Sequence, residues 1–105
     1  MPAVTVREAL IARERIKHLV RETRMELSPS LSDFMRVPVY LKLECHQATG
    51  SFKLRGATNA IAGLTSQQRA LGVVTASTGN HGRALSYAAA AAGVRATVPF
   101  KTCPF

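Results

Sequence analysis

One stretch constrains the fold more than any other, residues 72–98, GVVTASTGNHGRALSYAAAAAGVRATV. VVTAS reads as a short apolar strand, TGNHG as a glycine-bounded loop, RALSYAAAAA as a run of strong helix formers, Gly93 as the stop, and VRATVPF as another strand. Strand, helix and strand in so few residues form a βαβ unit, and such units build parallel sheets. The expected fold class is α/β.

The preceding chain has its own punctuation. Thr5 with Glu8 three residues on forms a capping box, and Ala9, Ala12, Ile16 and Leu19 recur at helical spacing, which predicts a helix from Val6 to Thr23 with one buried stripe. MELSPSLSDF reads as a connection in which Pro29 blocks continuation, with a short capped turn at Leu31 to Met35. VPVYLKLEC alternates, with Val37, Val39, Leu41 and Leu43 on one side and Tyr40, Lys42 and Glu44 on the other, and predicts a strand over Val39 to Glu44. Ser51 is the expected cap of a helix through Leu54, Ala57, Ala60 and Ile61 to Leu64. TSQQ, from Thr65 to Gln68, is a second capping box and opens a short helix ending at Gly72. The closing KTCPF supplies no helix to cover the last strand, so a sheet of two or three strands would keep an open edge. A fragment of a longer protein, or a protomer that needs a partner, is the expectation.

A formal charge of +8 raises nucleic acid or an anionic membrane surface as partners. Placement argues against both: in VREALIARERIKHLVRETRME the basic residues alternate with Glu8, Glu14, Glu22 and Glu26, without interleaved aromatics, as on a solvated helix face. An anionic small molecule suits the charge better. Cys45 and Cys103 lack CxxC spacing and paired histidines, so reduced thiols and no metal site are expected. The N-terminus lacks the apolar core of a signal peptide, and the alanine run from Ala88 to Ala92 is too short to span a bilayer, which points to the cytosol.

Two stretches carry chemistry. In ATGSFKLRG, residues 48–56, Lys53 falls in the first turn of a predicted helix, where the macrodipole and unpaired amides favour anions. Burial beside Phe52 would disfavour the ammonium form further, and a neutral amine is what Schiff-base chemistry with an aldehyde requires. Taken alone, the same lysine fits a surface position with its stem along Phe52. In STGNHG, residues 77–82, Ser77, Thr78 and Asn80 offer polar side chains, the glycines allow close backbone approach, and a helix N-terminus adds amides: an anion cradle. Taken alone, it fits a capped turn with His81 a solvated bystander. Neither GxxxxGK[ST] nor GxGxxG is present. Together they offer a covalent handle for an aldehyde and a site for an anion, at neighbouring strand ends in the expected topology. That combination suggests pyridoxal phosphate.

The runs VYLKLECHQATGSFKLRGATNAI and GVVTASTGNHGRALSYAAAAAGVRATV resemble the N-terminal part of fold-type-II (tryptophan-synthase-β-like) pyridoxal-phosphate enzymes, the threonine dehydratase and serine racemase group. Within it the chain looks most similar to the threonine-dehydratase-like proteins associated with hydroxyectoine utilisation. The resemblance implies that Lys53 is the lysine that holds the cofactor and exchanges the substrate Cα proton. Phe52 would pack against the pyridine ring and Asn80 would bond its phenolic oxygen. Ser77, Thr78, Gly79, Asn80 and His81 would receive the substrate carboxylate, with Thr78 where racemising relatives place a hydroxyl on the opposite ring face. Arg55 and Gly56 would support the lysine.

The implied activity is conversion of a threonine- or serine-like β-hydroxy amino acid to a 2-oxo acid and ammonia. Racemisation on the same fold, or a non-catalytic chain that folds only with a partner, are the alternatives. The resemblance also implies a homodimer, and a division into residues 1–71, the start of a large domain, and 72–105, the first βαβ of a small one. Family members are several-fold longer, and their glycine-rich phosphate loop and pyridine-nitrogen partner fall downstream of this sequence. Arg24 and Met25 stand where relatives usually show proline and leucine, and KTCPF does not continue the pattern, as a truncated or frame-shifted reading would explain. A reactive lysine in an inactive chain is the expectation for the isolated piece.

Overall fold

Local chemistry sets most of the element boundaries in the computed structural model, which describes residues 3–99. Helix α1 (Val6–Ile16) starts at a reciprocal capping box, in which the Thr5 hydroxyl accepts from the Glu8 amide at 3.2 Å and the Thr5 amide donates to the Glu8 carboxylate at 2.7 Å. The helix stops well short of the predicted Thr23. Past Ile16 the backbone is diverted, because the peptide groups of Arg21 and Thr23 are bonded by side chains from elsewhere in the chain. Of the expected buried stripe only Ile16 is buried, and Leu19 is 56% exposed.

The stretch read as a connection contains a strand, β1 (Met25–Leu27), which pairs antiparallel with β2 (Tyr40–Lys42), Met25 opposite Lys42 and Leu27 opposite Tyr40. Between them lies α2 (Pro29–Met35), where Pro29 occupies the first turn, in which a missing N–H costs nothing. The predicted strand over Val39 to Glu44 is shorter, because at Glu44 the chain winds into a 3-10 turn, Glu44–His46.

Helix α3 (Lys53–Ala62) begins without a side-chain cap, at Phe52. Ser51, the expected cap, instead has its hydroxyl buried with no partner among the described residues. Helix α4 (Ser66–Leu71) has the predicted box between Thr65 and Gln68. It ends at Gly72, where φ is +84° and a Cβ would stand 2.7 Å from the Arg95 carbonyl oxygen, so both conformation and space require glycine.

The βαβ unit forms as expected. Strand β3 (Val73–Val74) runs parallel to β4 (Ala96–Thr97), with the Val73 amide donating to Arg95 O at 2.8 Å, and α5 (Asn80–Ala91) makes the crossover. The described strands thus form two separate two-stranded sheets, one antiparallel and one parallel, in an α/β chain. Leu54, Ala57 and Ile61 of α3 share one apolar cluster with Ala84, Leu85, Ala88 and Ala89 of α5 and Val94. This shared cluster sets how the two motif-bearing helices lie. The tail KTCPF, with Cys103, lies outside the described residues.

Candidate active site

Both chemical motifs sit at helix starts. Lys53 is the first residue of α3 and Asn80 the first of α5. The C-terminal halves of the two helices face one cleft, lined by Thr58, Ile61 and Ala62 from α3 and Tyr87, Ala88 and Ala91 from α5. With a common core along their lengths, helices of 10 and 12 residues placed this way run side by side in the same sense. Their N-termini, and with them Lys53 and the Ser77–His81 turn, therefore lie at the same end of the molecule.

Lys53 is exposed, and its ammonium lies 5.2 Å from the centroid of the Phe52 ring, a cation–π distance. Phe52 is itself 62% exposed, so the expected burial of Lys53 beside it is absent. The reason is local: the turn from Phe52 to Lys53 projects away from the α3–α5 core, which takes up Leu54 instead. Ahead of it, Gly50 has φ of +78°, which turns the chain into the helix.

A polar network holds this turn from behind. Arg55 Nε donates to Glu44 Oε2 and Arg55 Nη2 to Glu44 Oε1, each at 2.8 Å, a two-pronged pair. The Thr23 hydroxyl donates to the same carboxylate, and Lys42 Nζ donates to the Thr23 carbonyl. The guanidinium and its hydrogen bonds hold the Glu44 carboxyl down at about 2, against burial, which acts in the opposite direction. The buried Gln47 completes the joint: its Nε2 donates to Arg21 O at 2.7 Å, and its Oε1 accepts from Arg21 N at 3.2 Å. Arg55 was expected behind the lysine; Glu44 and Gln47 were not. Strand alternation put Glu44 on an outer face, and the one available signal was a carboxylate at the exit of an apolar strand in a chain short of acids.

At the second motif the Ser77 hydroxyl oxygen accepts from the amides of Gly79 at 3.2 Å and Gly82 at 2.9 Å, closing the turn. Gly82 is packed tightly, since a Cβ there would come within 2.9 Å of Val98 Cγ1. The helix starts at Asn80, earlier than the predicted loop allowed, so Asn80, His81 and Gly82 form its first turn. Among the described residues the amides of Thr78, Asn80 and His81 make no hydrogen bond, and the side chains of Thr78, Asn80 and His81 are exposed. Free amides at a helix N-terminus are anion donors. Gly79 has open space where a Cβ would stand.

An accessible primary amine and a set of unbonded amides, at one end of two packed helices, fit a ligand carrying an aldehyde and a substrate carrying a carboxylate. Among the described residues no group of three or more His, Cys, Asp or Glu side chains could hold a metal ion, and no helix is long and apolar enough to cross a membrane.

An α/β fold with a βαβ unit and these two helix starts is shared by many proteins, and comparison with known ones narrows it. The profile described as "Pyridoxal-phosphate dependent enzyme" matches residues 16–102. The chain belongs to this pyridoxal-phosphate dependent family, as the N-terminal portion of fold-type-II members. A Sinorhizobium fredii protein provisionally named a threonine dehydratase is 61% identical over 87 residues, covering 83% of this chain and 26% of that protein. The L-threonine ammonia-lyase of Thermotoga maritima is 41% identical, covering 90% of this chain and 24% of that one. The crystal structure of serine racemase from Dictyostelium discoideum superposes with a TM-score of 0.88 at 39% identity, covering 92% of this chain and 32% of the other. The chain thus spans about a quarter to a third of the length of these relatives.

Proposed function

We propose that this chain carries the lysine end of an active site that converts a β-hydroxy amino acid, of the threonine or serine type, into a 2-oxo acid and ammonia. The observation that carries the reading is the placement of Lys53 and the amides of Thr78, Asn80 and His81, unbonded among the described residues, at the same end of two helices packed in one sense. The names of the S. fredii and T. maritima relatives point the same way.

In this reading Lys53 would hold the cofactor through its aldehyde, with Phe52 and Asn80 as the further residues that would hold its ring. Pyridoxal phosphate, when bound, supplies an electron sink that stabilises negative charge at the substrate Cα. Ser77, Thr78, Gly79, Asn80 and His81 would receive the substrate carboxylate, Thr78, Asn80 and His81 through amides with no partner among the described residues, Ser77 and Thr78 through hydroxyls, and Gly79 by giving up its bond to Ser77 Oγ, and so fix the Cα–H bond relative to Lys53. With its place taken by the substrate amine, the freed Lys53 amine would take the Cα proton, the β-hydroxyl would leave with it as water, and a second water would be consumed in the hydrolysis that frees ammonia. Arg55, held by Glu44, keeps the Lys53 turn in register. Residues 1–71 would belong to a large domain and 72–105 to a small one, with a homodimer as the assembly; an association with hydroxyectoine use rests on sequence resemblance alone.

A second reading is racemisation of the same substrate class, favoured by the exposed Thr78 hydroxyl and by the likeness to serine racemase. It needs a proton carrier on each face of Cα, Lys53 on one and Thr78 on the other. The decisive experiment incubates the purified chain with pyridoxal phosphate, reduces with borohydride, and locates the pyridoxyl mass by peptide mapping, alongside Lys53→Ala. Label on Lys53, absent from the variant, supports the site; equal labelling of both proteins sinks it. With L-threonine or L-serine, 2-oxo acid release supports the lyase, and inverted amino acid without it supports the racemase.

A further inference from the structure

Beyond the lysine turn, a cleft of about 690 Å³ opens between the end of α1 and the segment around Arg21. Its size is within the range of small-molecule sites. The lining is strongly cationic: Arg13, Lys17, His18, Arg21, Lys42 and Arg55, against Glu14 and Glu22. Two of these cations are neutralised, Lys17 by Glu14 at 2.6 Å and Arg55 by Glu44 at 2.8 Å. Arg13, Arg21 and Lys42 are in none of the ion pairs among the described residues.

Arg21 and Lys42 are nevertheless held in place. Arg21 Nη1 donates to the His46 carbonyl at 3.2 Å, and Lys42 Nζ donates to the Thr23 carbonyl. A neutral carbonyl positions a cation without cancelling its charge, and it uses one N–H of the five on a guanidinium or the three on an ammonium. The cleft therefore presents fixed positive charge with donors to spare, which is the chemistry that binds oxyanions.

We propose that this cleft is a binding site for a small multivalent oxyanion, of the phosphate-ester or polycarboxylate kind, distinct from the turn at Ser77–His81. Inorganic pyrophosphate and citrate are the probes, titrated into the 105-residue chain by calorimetry at constant ionic strength. Saturable one-site binding is expected, weakened tenfold or more in Arg21→Gln and in Arg13→Gln, and unchanged in Arg83→Gln on α5. Arg13 makes no ion pair among the described residues, so its variant keeps the test valid if Arg21→Gln fails to fold. Tighter binding of pyrophosphate assigns the ligand to the phosphates, and tighter binding of citrate to the carboxylates. Heat that does not saturate, or an equal loss in all three variants, means general attraction to a basic surface and overturns the proposal.

Discussion

Arg55 and Glu44 face each other through two parallel hydrogen bonds of 2.8 Å, and so tie the helix that begins at Lys53 to the turn that follows β2. Glu44 is acidic in the folded chain, with a pKa lowered from 4.5 to about 2. The unfolded chain therefore binds more protons between those values, so the pair's contribution is fully present above the upper one and is lost as pH falls through the lower. Urea midpoints should drop as pH is lowered from 5 toward 2 in the wild type, and Glu44→Gln should flatten that part of the profile. A profile identical in both proteins would show that Glu44 is not the group responsible.

Replacing Arg55 with lysine keeps the charge and loses the two-pronged geometry. The expected cost is roughly 1 kcal/mol in unfolding free energy, since a single ammonium cannot match both oxygens. Full stability in Arg55→Lys would reduce the pair to a simple charge contact.

Leu54 is fully buried, one residue after the exposed Lys53. Leu54→Ala should destabilise by about 2–5 kcal/mol, the range for an aliphatic side chain cut back in a packed core. Chemical denaturation followed by circular dichroism measures it, and a loss below about 1 kcal/mol would mean that the α3–α5 interface is loose.

Gly50 and Gly72 separate two costs. Both have positive φ, +78° and +84°, but a Cβ at Gly50 meets nothing within 4 Å, whereas at Gly72 it meets Arg95 O at 2.7 Å. Gly50→Ala should cost about 1–2 kcal/mol, the penalty of left-handed backbone alone. Gly72→Ala should cost more, because its ψ of −176° puts it in a region that only glycine occupies readily and the β3–β4 pairing must also shift. Equal losses would argue against close approach at Gly72.

Ser77 and Thr78 are adjacent and should respond oppositely. Ser77→Ala removes the acceptor of two amides and should cost roughly 1–2 kcal/mol of stability. Thr78→Ala, at an exposed side chain, should leave unfolding within about 0.5 kcal/mol of wild type. A large stability loss in Thr78→Ala would assign it to the fold and not to a ligand.

What could be read from the sequence was what depends on near neighbours. The boxes at Thr5 and Thr65 and the βαβ order of Val73 to Thr97 follow from spacing of a few residues, and all three formed. The end of α1 was misjudged because nothing within its own turns stops it; Gln47, from 26 residues on, takes the Arg21 backbone instead. Strand β1 was missed for a related reason, since Met25 to Leu27 are exposed and become a strand only through β2. At the site, family resemblance supplied the residue types. The expected topology put the two motifs at neighbouring strand ends, and the packing of α3 on α5 gives the physical reason that Lys53 and Asn80 share one end.

The side chain of Gln47 meets Arg21 as a neighbouring peptide would, one carbonyl and one amide against the backbone N–H and C=O. A lone residue in an irregular stretch thereby acquires the partners of a residue in a sheet. Its amide hydrogen should exchange with solvent slowly, at the pace of the structure that carries Gln47, while the amides of Thr78, Asn80 and His81 exchange freely until something binds them.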